Sequence, residues 1–261
     1  MAQQASPDAE RARSAAQEEI PALLGHANEE VLTALLENPH FDENHLCVLL
    51  ERKDLPEMLL EEIARQKVWL RSYRIKRRLA FHPHTPRLLA MRLARELYLM
   101  DLVRLSLLPA APAELQRLAE ELILARLPQL PLGQKLQLAR RGSARVAARL
   151  LAEGHEQVVR LAVDNPFLTE AQVLKVLSNP KLAAPVVAAL ASHRKWSYLL
   201  SVRLALVRHP AAQLSRVLAF LPGLTLRDLE DLSESATLSE NLRRYVRHEI
   251  ARRTAPAGGS E

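Results

Sequence analysis

Leucine, alanine and valine recur along most of the chain at the spacing of amphipathic helices. In the segment Leu55–Arg65, for example, Leu55, Leu59 and Ile63 return every four positions and would form one apolar face of a helix. No run alternates β-branched with polar residues, as a half-buried strand would. The pattern therefore predicts an all-α protein.

Five prolines, each closing an X-Pro step, divide this helical pattern into units of similar length. Consecutive prolines lie 44, 45, 38 and 44 positions apart: Pro39, Pro83, Pro128, Pro166 and Pro210. Proline fixes its own φ and keeps the preceding residue out of the α region, so one helix stops and the next begins there. This spacing is typical of HEAT-type helical hairpins. It predicts a right-handed α-solenoid of stacked hairpins with about five units.

A longer internal duplication, offset by 127 residues, is superimposed on these units. The segment Arg65–Pro83 matches Ser192–Pro210, and each places a tryptophan 14 positions before the proline of its His-Pro step. Copy one, about 38–123, aligns with copy two, about 165–250, without any gap in the alignment. Identities fall mainly on leucines, alanines and X-Pro steps, which are core and turn positions. We therefore predict structural anchors at Trp69, Trp196, Pro39, Pro83, Pro166 and Pro210.

The first copy of the duplicated segment is unusually basic. We predict one helix over Gln66–Phe81, with Trp69, Ile75 and Leu79 facing inward, and its counterpart over Arg194–Val207. Unpaired charges are too costly to desolvate for all the cations here to be buried, so several must face solvent or a ligand. The candidate basic face comprises Arg71, Arg74, Lys76, Arg77, Arg78, Arg194 and Lys195.

Charge is distributed unevenly along the 261 residues. Residues 1–64 carry 14 acidic against 4 basic residues, whereas the remainder carries 16 against 32. Two interpretations remain open: arginines on ordinary solvated helix faces, or one positive face for an acidic partner. The acidic N-terminal region would also be able to contact the basic remainder, within the chain or between copies.

Composition narrows the location and the domain organisation. The single cysteine excludes an internal disulfide and fits a reducing compartment. Acidic residues near the N-terminus argue against a secretion signal. No apolar run is long enough to span a membrane. We therefore expect a cytoplasmic protein without membrane insertion. We expect a flexible acidic segment over 1–27 that could hold a first helix, a helical repeat domain over 28–253, and a disordered tail over 254–261.

Residues able to carry catalysis or bind metal are few and scattered. Cys47 lies on an apolar helix face and matches a leucine in copy two, which favours core packing over a reactive thiol. A metal site with His40 and His45 would fit no standard zinc spacing, so we predict no metal and no cofactor. Asp101 matches Asp228, and an acid early in both helices favours a cap over a catalytic carboxylate.

The X-Pro steps and Leu/Ala-rich helix pairs resemble bacterial HEAT-like or leucine-rich-variant α-solenoids over about Asn28–Arg253. That resemblance implies an elongated surface for other proteins. Leucine-rich-variant proteins are associated with a cysteine-held iron–sulfur cluster, which lone Cys47 does not imply. HEAT-like alkylpurine DNA glycosylases hold DNA in a basic groove with Trp, Arg and a catalytic Asp. Trp69, Trp196 and Asp101 invite that comparison, although no specific motif aligns.

Three classes of function follow from these observations. The first is a non-enzymatic scaffold that binds another protein through an extended helical-repeat surface. The alternative is a nucleic-acid-binding protein that neutralises phosphates with the candidate basic face, although aromatic residues for base stacking are scarce. An enzyme is the least favoured class, because no phosphate loop, nucleophile elbow or metalloprotease motif is present. The sequence indicates neither the partner's identity nor the oligomeric state.

Overall fold

The computed structural model describes residues 6–235 and 238–255 of the chain. Over these residues all regular structure is helical, with eighteen α-helices, four 3₁₀-helices and no strand, which confirms the all-α class. No helix in this described part is both long and apolar enough to cross a membrane. The tail predicted to be disordered lies largely outside the described residues.

Contacts divide the chain into two compact units, the first ending at Ala125 and the second beginning at Arg126. The first unit contains nine α-helices and one 3₁₀-helix. They are α1 (Pro7–Ser14), α2 (Ile20–Leu23), α3 (Glu29–Leu36), α4 (Glu43–Leu49), α5 (Glu57–Arg65), η1 (Trp69–Arg71), α6 (Tyr73–Phe81), α7 (Arg87–Ala94), α8 (Leu99–Ser106) and α9 (Ala113–Arg126).

The described part of the second unit contains nine further α-helices and three 3₁₀-helices. They are η2 (Leu127–Gln129), α10 (Leu132–Arg141), α11 (Ala144–Glu153), α12 (Glu156–Ala162), α13 (Glu170–Leu177), α14 (Ala184–Ser192), η3 (Trp196–Tyr198), α15 (Leu200–Arg208), α16 (Leu214–Phe220), η4 (Leu221–Gly223), α17 (Leu226–Glu234) and α18 (Glu240–Thr254).

The two units are built from the same helices in the same order. From α3 to α9, every α-helix of the first unit begins 127 residues before its counterpart in the second. The 3₁₀-helices η1 and η3 keep the same offset at both ends. Helices α1 and α2 overlap α10 and α11 after the same shift. The structural correspondence therefore extends on the N-terminal side of the sequence match, from α1 onward.

Within each unit, alternate helices pack against one another. In the first unit α3 contacts both α1 and α5, and α4 contacts α6. In the second unit α12 contacts α10 and α14, while α13 contacts α11 and α15. Stacking of this kind buries one face of each short helix, and buried leucines, valines and alanines dominate the core.

The residue before each anchor proline fastens its turn to an earlier part of the chain. The side chain of Asn38 donates to the carbonyl oxygens of Ala12 and Ala15, at 2.7 and 3.0 Å. At the His-Pro steps, His82 Nδ1 accepts from a backbone N–H, so its Nε2 carries the proton that is donated to the Arg52 carbonyl at 2.7 Å. His209 makes the same pair of bonds, with Asn179 as acceptor. These bonds satisfy backbone groups at the ends of earlier helices.

The N-terminal segment contains more structure than its composition suggested. The segment 1–27 was expected to be flexible with room for a first helix, and within its described part α1 spans Pro7–Ser14 and packs against α3. Ala9 and Ala12 are buried in that contact, and the carbonyl of Ala12 accepts from Asn38. The polar, alanine-rich composition conceals this because the apolar surface of α1 consists of alanine methyl groups alone.

The basic helix predicted over Gln66–Phe81 is wrong in one respect, because the chain breaks it at Ser72. Ser72 has φ −78° and ψ 125°, so η1 ends and α6 begins on either side of an extended residue. Leu199 breaks the counterpart with φ −74° and ψ 125°. A break at the same place in both units, between different residues, indicates that tertiary packing overrides local helix propensity here.

Candidate functional site

Two cations of the candidate basic face are engaged in close ion pairs with distant carboxylates. Lys76 Nζ lies 2.5 Å from Glu96, and Arg78 Nη2 lies 2.9 Å from Glu51. Both basic side chains are largely covered. Because carboxylates of the first unit already neutralise these two cations, they would attract an acidic partner only weakly.

Arg71, Arg74 and Arg77 present their guanidinium groups to solvent. Arg74 lies 3.6 Å from Glu43 and Arg77 lies 3.8 Å from Asp101, distances that are long for ion pairs. Arg71 is exposed, and no carboxylate of a described residue pairs with it. The predicted face in the first unit therefore divides into an open row, Arg71, Arg74 and Arg77, and a neutralised pair, Lys76 and Arg78.

The second unit does not repeat this row. The positions equivalent to Arg74 and Arg77 are Ser201 and Leu204 on α15. Arg194 and Lys195 are exposed, and Lys195 Nζ lies 4.1 Å from the centre of the Trp196 ring. A cation–π contact of this kind occupies the ammonium group locally.

The two tryptophans are anchors of unequal depth. Trp196 is 1% exposed, and its Nε1–H donates to the Val163 carbonyl at 2.8 Å. Trp69 is half-buried, donates to Gln66 at 2.7 Å and meets Phe41 edge to face. Both are thus held by packing and hydrogen bonds.

Asp101 and Asp228 occupy equivalent positions but are used differently. Asp228 forms a capping box with Thr225, whose backbone N–H donates directly to the Asp228 carboxylate at 3.0 Å. Hydrogen bonds from Thr225 lower the pKa of Asp228. In the first unit, the Tyr73 hydroxyl bridges the N-cap backbone and the carboxylate. It accepts a hydrogen bond from the backbone N–H of Tyr98 at 3.0 Å and donates one to Asp101 at 2.6 Å. Burial and the bond to Asp101 raise the pKa of Tyr73 to about 12, which keeps the hydroxyl protonated.

A groove of about 960 Å³ lies in the first unit between α5 and α7. Leu88, which is 81% exposed, and Leu70 supply its apolar surface. Glu57 on α5 and Arg92 on α7 are both exposed, and neither side chain forms an ion pair or hydrogen bond with another described residue. The groove thus combines apolar contact area with charged side chains of both signs that lack partners among the described residues: Glu57 on α5, Arg92 on α7, and Lys67 between α5 and η1.

The second unit has lost the chemistry of this groove. At five of the positions that line the groove, the second unit carries small, uncharged residues. Glu57, Glu61, Leu70, Leu88 and Arg92 correspond to Ala184, Ala188, Ser197, Ser215 and Ala219. The sequence interpretation missed the groove because its walls come from helices separated in sequence. A comparison of the two copies for positions where one copy alone keeps charge and leucine would have found it.

Cys47 is 2% exposed and packs in the core, as predicted. The side chains of His45 and Asp42 form a capping box at the N-terminus of α4, so His45 has a structural role. Across the described residues, no three His, Cys, Asp or Glu side chains gather as a metal site.

Comparison with protein-family models, with curated proteins and with solved structures yields no match for this chain.

Proposed function

We propose that the protein is a non-enzymatic scaffold that binds a protein partner in the groove between α5 and α7. The observation that carries this proposal is the 81% exposure of Leu88 on the α7 wall of the groove, next to Arg92, whose side chain has no charged partner among the described residues. Leu88 and Leu70 together supply apolar surface that charged residues surround, and apolar patches with a polar rim are typical of interaction sites. We further propose that the stacked helices form HEAT-like hairpin repeats of a right-handed solenoid in the cytoplasm.

The charges of the groove define what kind of partner fits. Glu57 on one wall favours a basic residue, and Arg92 on the opposite wall favours an acidic one, while Leu70 and Leu88 between them favour apolar side chains. An amphipathic helix carries all three along its length, and a groove between helices is a common site for such a segment.

The alternative, nucleic-acid binding by the whole candidate basic face, receives less support. Lys76 and Arg78 are matched by Glu96 and Glu51, so fewer cations remain for phosphates than the sequence suggested. A narrower form of that idea rests on a different observation and is argued below.

The test is affinity capture with nuclease-treated extract and quantitative mass spectrometry of the proteins retained. Leu88→Ser installs the residue that the second unit carries at the equivalent position, and Leu200→Ser removes an exposed leucine elsewhere as the matched control. We expect a defined set of proteins with wild type and Leu200→Ser. Leu88→Ser and Arg92→Ala should each weaken retention of that set by about tenfold or more. If Leu88→Ser retains the same proteins as wild type, the groove is not the binding site and the proposal is wrong.

A further inference from the structure

An aromatic pair in the first unit leaves one ring face open. Tyr73 and Tyr98 stack with centroids 3.9 Å apart and planes 25° apart, so one face of Tyr98 is covered. The residue is nevertheless 66% exposed, which places its other face in solvent. A tyrosine ring fixed by stacking on one side offers a rigid platform on the other, because little conformational freedom is lost when a second ring lands on it.

Two arginines lie next to this pair and share one carboxylate. Arg77 Nε and Arg104 Nη1 lie 3.8 and 3.5 Å from the same oxygen of Asp101, and the other oxygen accepts from Tyr73. One negative charge thus faces two positive charges and a neutral hydroxyl. The guanidinium groups, with side chains 48% and 66% exposed, keep a net positive charge and free donors.

The second unit indicates that this cluster exceeds what the fold requires. At the positions of Tyr73, Arg77 and Tyr98 it carries Leu200, Leu204 and Thr225, and Arg104 is replaced by Asp231. Helix α17 nevertheless begins normally, because Thr225 and Asp228 cap it directly. The aromatic pair and the two arginines of the first unit therefore do more than start a helix.

We propose that Tyr98, Arg77 and Arg104 form a binding site for a nucleotide unit, with the base stacked on Tyr98 and the phosphate held by the two guanidinium groups. An open aromatic face stacks any base, and arginine forks match phosphate oxygens geometrically. The exposed cation Arg74 precedes Arg77 on α6, and the exposed cation Arg71 ends η1 just before that helix. They extend the site in the manner of a groove that follows a phosphate backbone.

One ligand chemistry, a base joined to a phosphate, has two sources here: a single-stranded nucleic acid or a free nucleotide. The experiment is fluorescence anisotropy of the full chain with short labelled oligo-dT and oligo-U strands, at about 50 and about 150 mM salt. AMP and inorganic phosphate serve as competitors. Displacement by AMP at low concentration would identify a free nucleotide as the ligand, whereas tight strand binding with weak competition by AMP would identify a single strand.

Three tyrosine variants make the test specific. Tyr98→Thr installs the residue of the second unit and should weaken binding by about tenfold, whereas Tyr98→Phe keeps the ring and should bind as wild type. Tyr198→Thr is the control, since Tyr198 is 78% exposed but Arg203 already lies over its ring. Arg104→Ala should reduce the slope of log affinity against log salt by about one.

Two results would overturn the proposal. The first is absence of binding to both labelled strands at the lower salt concentration. The second is binding that Tyr98→Thr leaves unchanged, which would place the contact elsewhere on the basic surface. Leu88→Ser should not alter strand binding, so failure of this site and failure of the groove are distinguishable.

Discussion

Asn38 and Asn165, 127 positions apart, make the same three hydrogen bonds. The Asn38 amide donates to two carbonyls at the end of α1 and accepts from the backbone N–H two residues on. Asn165 repeats this with Ala139, Gly142 and Phe167 at 2.8, 3.0 and 2.8 Å. Asparagine suits this place because one side chain supplies both the donor and the acceptor.

We expect Asn165→Ala to lower the free energy of unfolding by about 3 kcal/mol, because buried carbonyls lose their donors. Asn165→Asp should cost at least as much, since it removes the donors and buries a charge. Urea denaturation measures both. The matched control is Asn179→Ala, at an exposed Asn-Pro step. Among the described residues its side chain accepts a hydrogen bond only from the backbone N–H of Lys181, so we expect an effect below about 1 kcal/mol. Equal effects at the two positions would contradict this role of Asn165.

Gly142 and Gly133 give opposite predictions for the same substitution in the same unit. A Cβ at Gly142 would lie 2.6 Å from the Leu138 carbonyl oxygen and 2.9 Å from Val146, so Gly142→Ala forces backbone and core to shift. We expect a loss of about 2 kcal/mol. Gly133 lies in α10 with open space around it, and Gly133→Ala should stabilise by about 0.5–1 kcal/mol. Thermal unfolding of both variants decides, and a neutral Gly142→Ala would refute the close approach.

The sequence predicts the helices of this fold well because residues close to many helix ends, such as N-cap residues and prolines, determine where the helix begins or ends. The side chains of Asn28, Asp42 and Thr169, residue types that favour N-caps, cap α3, α4 and α13. The break at Ser72 was missed because the same residues can continue a helix, and only contacts with other helices select the extended conformation.

The candidate sites were harder to predict because they depend on distant partners. In the sequence Lys76 and Arg78 have no obvious charged partner. In the folded protein they form ion pairs with Glu96 and Glu51. Arg77 stays exposed, and nothing in its local sequence distinguishes it from Arg78. Comparing the two copies partly overcomes this limit. Leu88 and Tyr98 correspond to Ser215 and Thr225 in the second unit, so the shared fold does not require a leucine or a tyrosine at these positions.

His82 should make stability depend on pH. Burial, ahead of the nearby charge of Lys53, lowers the pKa of His82, while Asp54 and the Arg52 carbonyl oppose the shift. The unfolded chain therefore binds a proton near pH 6.5 that the folded chain resists. The contribution of neutral His82 is complete above that pH and is lost as the pH falls toward the lowered value, with a slope of at most about 1.4 kcal/mol per pH unit.

Urea denaturation between pH 5 and pH 7.5 tests this for wild type and His82→Gln. Glutamine keeps a donor for the Arg52 carbonyl but does not titrate, so its stability should change less over this range. An identical pH dependence for both proteins would assign the effect to other groups.

The two tryptophans should differ in their contribution to stability despite their equivalent positions. Trp196→Phe leaves a cavity at a 1% exposed site and removes the donor to the Val163 carbonyl, so we expect a loss of about 2 kcal/mol. Trp69 is half-buried and bonds to the side chain of Gln66, which water can replace. Trp69→Phe should therefore cost less than about 1 kcal/mol. Urea denaturation followed by the fluorescence of the remaining tryptophan measures both, and equal losses would show that repeat position outweighs depth of burial.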